Sequence, residues 1–194
     1  MRWARALVAT AAALSCLMAV STAVAAPPKA GPLPVAEFPH AQPSTALDTA
    51  LRALLRDIVQ VIPSRRELYI PGQPPWSPQP GKLVAACSQD ENCGYVLARQ
   101  IEALMGEAQR QASALATAGP DSERREQQAA LAITAIDQLC SAASSAQKWL
   151  FHLCGNAHET SYIAARIWFN LGHESLGLEL QRNADGMNQF TRDW

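Results

Sequence analysis

The amino-acid sequence predicts an all-α fold, namely an antiparallel four-helix bundle-like domain with proline-rich loops. Two disulfides are predicted to cross-link this domain. Apolar residues recur at steps of three and four in several long stretches, which is the pattern of one buried helix face. No run of alternating polar and apolar residues is long enough to indicate a strand. Four cysteines follow a predicted export signal, and an oxidising compartment would pair them into two disulfides.

Residues 1–25 have the features of a signal peptide. Arg2 and Arg5 precede an uncharged apolar stretch that ends in Ala-Val-Ala at 23–25, a small-x-small cleavage site. Cleavage there removes both arginines and Cys16, which leaves 14 basic against 17 acidic residues, a net charge of −3, and four cysteines. We therefore expect a periplasmic or secreted protein without a stable membrane span after cleavage. Two alternatives stay open: an uncleaved membrane anchor, and a lipoprotein lipidated at Cys16.

The mature chain is predicted to begin with a proline-rich flexible leader at 26–43, followed by a single helical domain at 44–194. The leader contains six prolines and shows no apolar periodicity. Ser44 or Thr45 would cap the first helix, and Pro63 would end it. The buried face of that helix is predicted to consist of Leu47, Leu51, Leu54, Leu55, Ile58 and Ile62.

A second proline-rich stretch, residues 63–81, is too apolar for a bare linker. We expect it either to pack on the core or to present an aromatic binding surface, because long loops without secondary structure are often functional. The candidate binding residues of this loop are Arg65, Arg66, Tyr69 and Trp76.

The bounds of the remaining helices are predicted from the residues that interrupt or end each apolar stripe. The polar run 89–92 interrupts one apolar stripe, Gly119-Pro120 ends the next helix, and Gly155-Asn156 ends the one after it. The last helix is expected to continue past Gly172. The predicted helices after the second proline-rich loop span 82–88, 92–118, 121–153 and 157–182, and the tail at 183–194 is expected to be less ordered.

Two pairings of the four cysteines are compatible with these helices. If the helices on either side of Gly119 form a hairpin, the nested scheme Cys87–Cys154 with Cys93–Cys140 is favoured. The alternative is the local scheme, Cys87–Cys93 with Cys140–Cys154. Its second pair is the harder one, because 14 residues of unbroken helix would place those cysteines about 21 Å apart.

Few residues form a recognisable catalytic or metal-binding pattern. His158-Glu159 begins like the zinc-protease motif HExxH, but Tyr162 stands where the second histidine is required. His158 and Glu159, with Tyr162 beside them, are the candidate catalytic residues, as an acid–base set. His152, Cys154 and His158 have a spacing that suits zinc or copper, but an oxidised cysteine is not a ligand. We predict no metal and no cofactor.

One segment resembles a known family. Residues 83–104, LVAACSQDENCGYVLARQIEAL, are similar to the Cys…Cys-x-Tyr helical segment of the Tai immunity proteins. Members of that family are small, exported, disulfide-bonded helical proteins that block cell-wall amidase toxins. The resemblance covers 22 residues and implies an inhibitor-type role.

The composition narrows the expected function. A hydrophobic content of 48% is too high for a disordered protein, and a formal net charge of −1 argues against nucleic-acid binding through phosphate contacts. We expect a non-enzymatic module that binds another protein of the bacterial cell envelope. It would be an immunity or inhibitor protein, or an accessory component of an envelope secretion or conjugation system. The alternatives are a cell-envelope hydrolase using His158 and Glu159, and a metal-binding envelope protein.

Overall fold

Helices make up most of the part of the chain that the structure describes. This computed structural model describes residues 29–61, 80–115, 119, 121–146, 154 and 157–192. Within these ranges no strand occurs, which confirms the predicted all-α class, and no helix is long and apolar enough to cross a membrane. The helices are α1 (Thr45–Val61), α2 (Gly81–Cys87), α3 (Cys93–Leu115), α4 (Ser122–Ala146), α5 (Ala157–Asn170) and α6 (Glu174–Arg192).

Helix α4 is the central element of this bundle-like fold. Helices α3 and α5 pack along it, and α1, α2 and α6 also contact it. Its residues 127–140 are buried without interruption, as expected for a helix surrounded by others. Small side chains let the neighbouring helices approach closely. The buried alanines among the described side chains of α4 are Ala129, Ala130, Ala132, Ala135 and Ala142.

Helix α1 begins where the sequence predicts. The Ser44 hydroxyl accepts a hydrogen bond of 3.2 Å from the backbone N–H of Leu47, so Ser44 is the N-cap. On the solvent side Arg52 pairs with Asp48 one turn earlier. The predicted apolar face is confirmed as far as the structure describes it, with Leu47, Leu51, Leu54, Leu55 and Ile58 buried.

The N-terminal segment, residues 29–38, has neither helix nor strand and packs against the helices. It belongs to the proline-rich leader predicted at 26–43, of which residues 26–28 lie outside the described residues. Leu33 and Phe38 are buried in the same core as the helices. Its prolines prevent a helix but do not prevent the chain from packing on one.

Two glutamines hold the backbone of the N-terminal segment. The side-chain oxygen of Gln100 on α3 accepts a hydrogen bond of 3.0 Å from the N–H of Ala36, and its amide nitrogen donates to the carbonyl of Pro34 at 2.8 Å. Gln128 on α4 also makes two backbone bonds, with the adjacent residues Gly31 and Pro32. Gln128 accepts from the N–H of Gly31 at 3.0 Å and donates to the carbonyl of Pro32 at 3.5 Å. The segment therefore lies in a groove between α3 and α4.

The disulfides follow the local scheme, so the favoured nested scheme is wrong. Cys87 pairs with Cys93 at a Cα–Cα distance of 5.1 Å, and Cys140 pairs with Cys154 at 5.5 Å. Each pair lies beside a break in the helices rather than across the α3–α4 hairpin. The second distance excludes an unbroken helix from Cys140 to Cys154, which would separate them by about 21 Å. Of the helix predicted over 121–153, the structure shows Ser122–Ala146, and residues 147–153 lie outside the described residues.

The helix predicted at 157–182 is two helices joined at Gly172. This glycine has a φ of 81°, in the left-handed region. The N–H of His173 donates a hydrogen bond of 2.8 Å to the carbonyl of Trp168. The N–H of Gly172 donates one of 3.1 Å to the carbonyl of Phe169. These two bonds form a Schellman motif, which ends a helix. Helix α6 then continues to Arg192, through most of the tail that was predicted to be less ordered.

Candidate functional site

The four candidate binding residues of the second proline-rich loop lie outside the described residues. Arg65, Arg66, Tyr69 and Trp76 all fall within 62–79, which the structure does not describe. Their role at a binding surface stays a prediction.

The candidate catalytic pair lies at the start of α5. His158 and Glu159 belong to the first turn of this helix, and their side chains are outside the described part. The candidate metal cluster loses its sulfur ligand, because Cys154 is bonded to Cys140 and is not a thiolate. Among the described side chains, no group of three His, Cys, Asp or Glu residues is placed to hold a metal ion.

The outward side of α5 carries large apolar side chains. Tyr162 is 37% exposed, Ile163 49% and Phe169 36%, and they account for three of the four large exposed hydrophobic residues in the described ranges. Arg166 is exposed on the same side. With about 100° between successive residues, Tyr162, Arg166 and Phe169 lie within about 60° of one another around the helix. We call Tyr162, Ile163, Arg166 and Phe169 the α5 face.

The opposite side of α5 is fixed to the centre of the molecule. Trp168 is completely buried, and its indole N–H donates a hydrogen bond of 3.0 Å to the hydroxyl of Thr134 on α4. The ring of His173 meets the Trp168 ring edge-on, with 5.1 Å between centroids. Because the indole is held on two sides, the rotation of α5 is set and the α5 face points outward.

Two side chains of the α5 face are themselves held by α6. The hydroxyl of Tyr162 donates a hydrogen bond to the carboxylate of Asp185. The ring of Phe169 lies against Gly177, where a Cβ would come within 3.0 Å of three ring atoms. The glycine therefore makes room for the ring. These contacts order the two aromatic side chains before any partner binds, which lowers the entropy cost of binding.

A buried carboxyl lies between α4 and α6. Asp137 is 2% exposed and accepts a hydrogen bond of 2.9 Å from the side chain of Asn183. Burial raises the pKa of Asp137 to about 7. The hydrogen bond from Asn183 opposes this rise, and the negative charge of Glu179 adds to it. Asp137 is thus enclosed by helices, and its raised pKa makes it a group whose ionisation affects folding stability.

The apolar steps Tyr162, Ala165, Trp168 and Leu171 predict one buried stripe on the last helix. Tyr162 is then expected in the core, so sequence reasoning missed the α5 face. In the structure Ala164, Ala165 and Trp168 form that stripe. The signal was present in the sequence, because Tyr162 and Phe169 are seven residues apart and so share one side of a helix. Trp168 is core, as its apolar periodicity predicted.

The chemistry of the α5 face suits binding rather than bond cleavage. It offers two aromatic rings and one guanidinium, which are types enriched at protein interfaces, together with one exposed aliphatic side chain. Comparison of the chain with models of protein families, with curated proteins and with solved structures finds no match. The interpretation of this face therefore rests on its own residues.

Proposed function

We propose that this chain is an exported helical module of the periplasm or the extracellular space that binds another protein of the cell envelope. The signal-like sequence at 1–25 and the two disulfides support export to an oxidising compartment. The role is that of an immunity or inhibitor protein, or of an accessory component of an envelope secretion or conjugation system.

The observation that carries the binding role is the α5 face. Ile163 and the two aromatic rings expose apolar area on one side of a helix whose other side is held by Trp168. Such a face docks into a groove of a partner, with the aromatic and arginine side chains supplying most of the affinity. The partner should line that groove with apolar side chains and place a carboxylate opposite Arg166.

Capture of the partner from the cell envelope tests the proposal. The mature chain, residues 26–194, would be used as bait in its wild-type form and with Ile163→Ala or Arg166→Glu. We expect each substitution to reduce capture of the same partner by about tenfold or more, as for residues at the energetic centre of an interface. Both positions are exposed, so neither change should alter the folded state.

Met105→Ala is the matched control, because Met105 is an exposed apolar residue of α3, outside the α5 face. This variant should capture the partner as the wild type does. If all three variants capture equal amounts, or if Met105→Ala lowers capture as strongly as Ile163→Ala, the α5 face is not the binding surface.

A further inference from the structure

Helix α6 connects the interior of the molecule to the α5 face. Its Asp185 accepts the hydrogen bond of the Tyr162 hydroxyl, and the ring of Phe169 lies against the same helix. A second set of contacts joins α6 to α4, where Asn183 donates a hydrogen bond of 2.9 Å to Asp137. Because Asn183 and Asp185 are two residues apart on one helix, a change at Asp137 is transmitted to Tyr162 through α6.

The contact of α6 with Asp137 suits the neutral form of this carboxyl. Asp137 is 2% exposed, and the side-chain amides of Asn183 and Gln138 donate to it at 2.9 and 3.5 Å. The charged group that α6 brings close is Glu179, whose negative charge disfavours a second one. In the part of the chain that the structure describes, no lysine or arginine forms an ion pair with Asp137. A buried carboxylate without a counter-ion is costly, so Asp137 keeps its proton while α6 is in place.

Other charged groups of the described helices lie away from this contact. On α1, α2 and α3 they are exposed or are held by contacts within those helices and their loops. His173 is buried at the junction of α5 and α6, and histidines commonly titrate near neutral pH, so an experiment has to separate its effect from that of Asp137. The other charged residues of α5 and α6 whose side chains are described are exposed, namely Arg166, Glu174, Arg182 and Asp185.

We propose that Asp137 is a pH-sensitive device that regulates the α5 face: release of its proton above neutral pH loosens α6 on α4, and α6 then holds Tyr162 and Phe169 less firmly. The step is a proton transfer from the Asp137 carboxyl to water, which leaves a carboxylate beside Glu179. Hydration of that carboxylate requires α6 to separate from α4, because the group is enclosed between the two helices. The inference rests on the proposed function, since it describes regulation of the same face.

Carbon-13 NMR of the mature chain with labelled tyrosines reports the state of the Tyr162 ring. Between pH 5 and pH 8, below the range in which phenols ionise, the Tyr162 Cζ resonance should shift with a midpoint near the pKa of about 7 of Asp137. Tyr95 on α3 is the internal reference and should not follow this titration. Asp137→Asn should abolish the Tyr162 titration. Asp57→Asn, at an exposed position of α1, is the matched control and should leave it unchanged.

Hydrogen exchange of the wild type gives a second measurement, which does not depend on the folding of a variant. The amides of α6 at 180–184 should exchange faster than those of α4, because α6 opens locally. After correction for the intrinsic effect of pH, this opening should be about tenfold more frequent at pH 8 than at pH 6. The increase follows because the pKa of Asp137 is about 7 when the group is buried and ordinary when it is hydrated.

A Tyr162 resonance that does not titrate near neutral pH would overturn the proposal. So would an unchanged titration in Asp137→Asn, which would assign the effect to another group, such as His173. Equal protection of α6 and α4 would also overturn it, because water would then reach Asp137 only by global unfolding. None of these measurements uses a partner or changes Ile163 or Arg166, so failure of this device is distinguishable from failure of the α5 face to bind.

Discussion

Buried polar side chains of α4 fix how its neighbours pack. Thr134 donates a hydrogen bond of 2.7 Å to the carbonyl of Ala130 and accepts one from Trp168 of α5. One turn further on, Asp137 accepts a hydrogen bond from Asn183 of α6. An apolar core would tolerate small rotations of these helices, whereas each hydrogen bond is satisfied in one arrangement only.

Thr134→Val should destabilise the protein. Valine has nearly the shape of threonine, so no cavity forms, but the indole N–H of Trp168 loses its buried acceptor. We expect the free energy of unfolding, measured with urea, to fall by about 1–3 kcal/mol. The same change at Thr49, an exposed position of α1, is the control and should alter stability by less than about 0.5 kcal/mol. An equal effect at both positions would contradict the assigned hydrogen bond.

Asp137 should make stability decrease as pH rises towards and above neutrality. A carboxyl whose pKa is about 7 in the folded state and ordinary in the unfolded state binds its proton more tightly when folded. Its contribution to stability is therefore fully present below about pH 4 and is lost as pH rises through about 7.

Comparison with Asp137→Asn isolates this contribution from that of other titrating groups. Asparagine is neutral at every pH and still offers an oxygen to Asn183. The difference in unfolding free energy between pH 5 and pH 8 should therefore be smaller in the variant than in the wild type. Parallel pH profiles for the two proteins would show that Asp137 is ionised in the folded state throughout this range.

At the scale of elements, the breaks between helices determine how the helices are arranged. Gly172 separates α5 from α6, and the loop between Cys87 and Cys93 separates α2 from α3. Burial alone would raise the pKa of Asp90 in that loop. Hydrogen bonds from Ser44 and from the N–H of Asn92 outweigh burial and hold the pKa below its usual value. The loop therefore links the first disulfide to the start of α1.

Substitution of two glycines by alanine should have opposite effects. Gly172 has a positive φ, so Gly172→Ala should lower the free energy of unfolding by about 1–2 kcal/mol. Gly106 lies in α3 with open space around the position of a Cβ, so Gly106→Ala should raise it by about 0.5–1 kcal/mol. Thermal or urea unfolding of both variants checks this pair. Stabilisation by Gly172→Ala would contradict the left-handed turn.

Removal of the first disulfide should loosen the start of α1. In the double variant Cys87→Ser with Cys93→Ser, the loop that carries Asp90 is no longer closed, and stability should fall by about 2 kcal/mol. Hydrogen exchange at the amide of Ser44 should accelerate. Cys140→Ser with Cys154→Ser is the control, because that disulfide is not part of the Asp90 loop. Faster exchange at Ser44 in both variants to the same extent would show that the effect is global.

At the scale of the whole molecule, the sequence predicts features that depend on neighbouring residues, such as the buried face and the start of a helix. Periodicity identified the buried face of α1, and Ser44 marked its start. The cysteine pairing and the docking of residues 29–38 depend on contacts between distant residues. For example, Gly31 and Gln128 are 97 positions apart. A proline-rich composition excludes a helix but says nothing about which groove accepts an extended chain.

The site was harder to predict than the fold for the same reason. Tyr162 and Phe169 share a helical face by their spacing, but only the packing of Trp168 against Thr134 determines that this face is the outer one. In the part of the chain that the structure describes, the central helix α4 holds α5 in a fixed rotation. The proposed binding role depends on that rotation.

Site-specific photocrosslinking in the cells that produce the protein tests this account most directly. A photoreactive residue would replace Ile163 in one variant and Met105 in a second, each in the full chain. The account predicts that position 163 forms one discrete crosslinked product with a partner from the cell envelope, and that Arg166→Glu in the same chain removes it. Position 105 should form no such product. Equal crosslinking from both positions, or none from position 163, would contradict the proposal that α5 presents a protein-binding face.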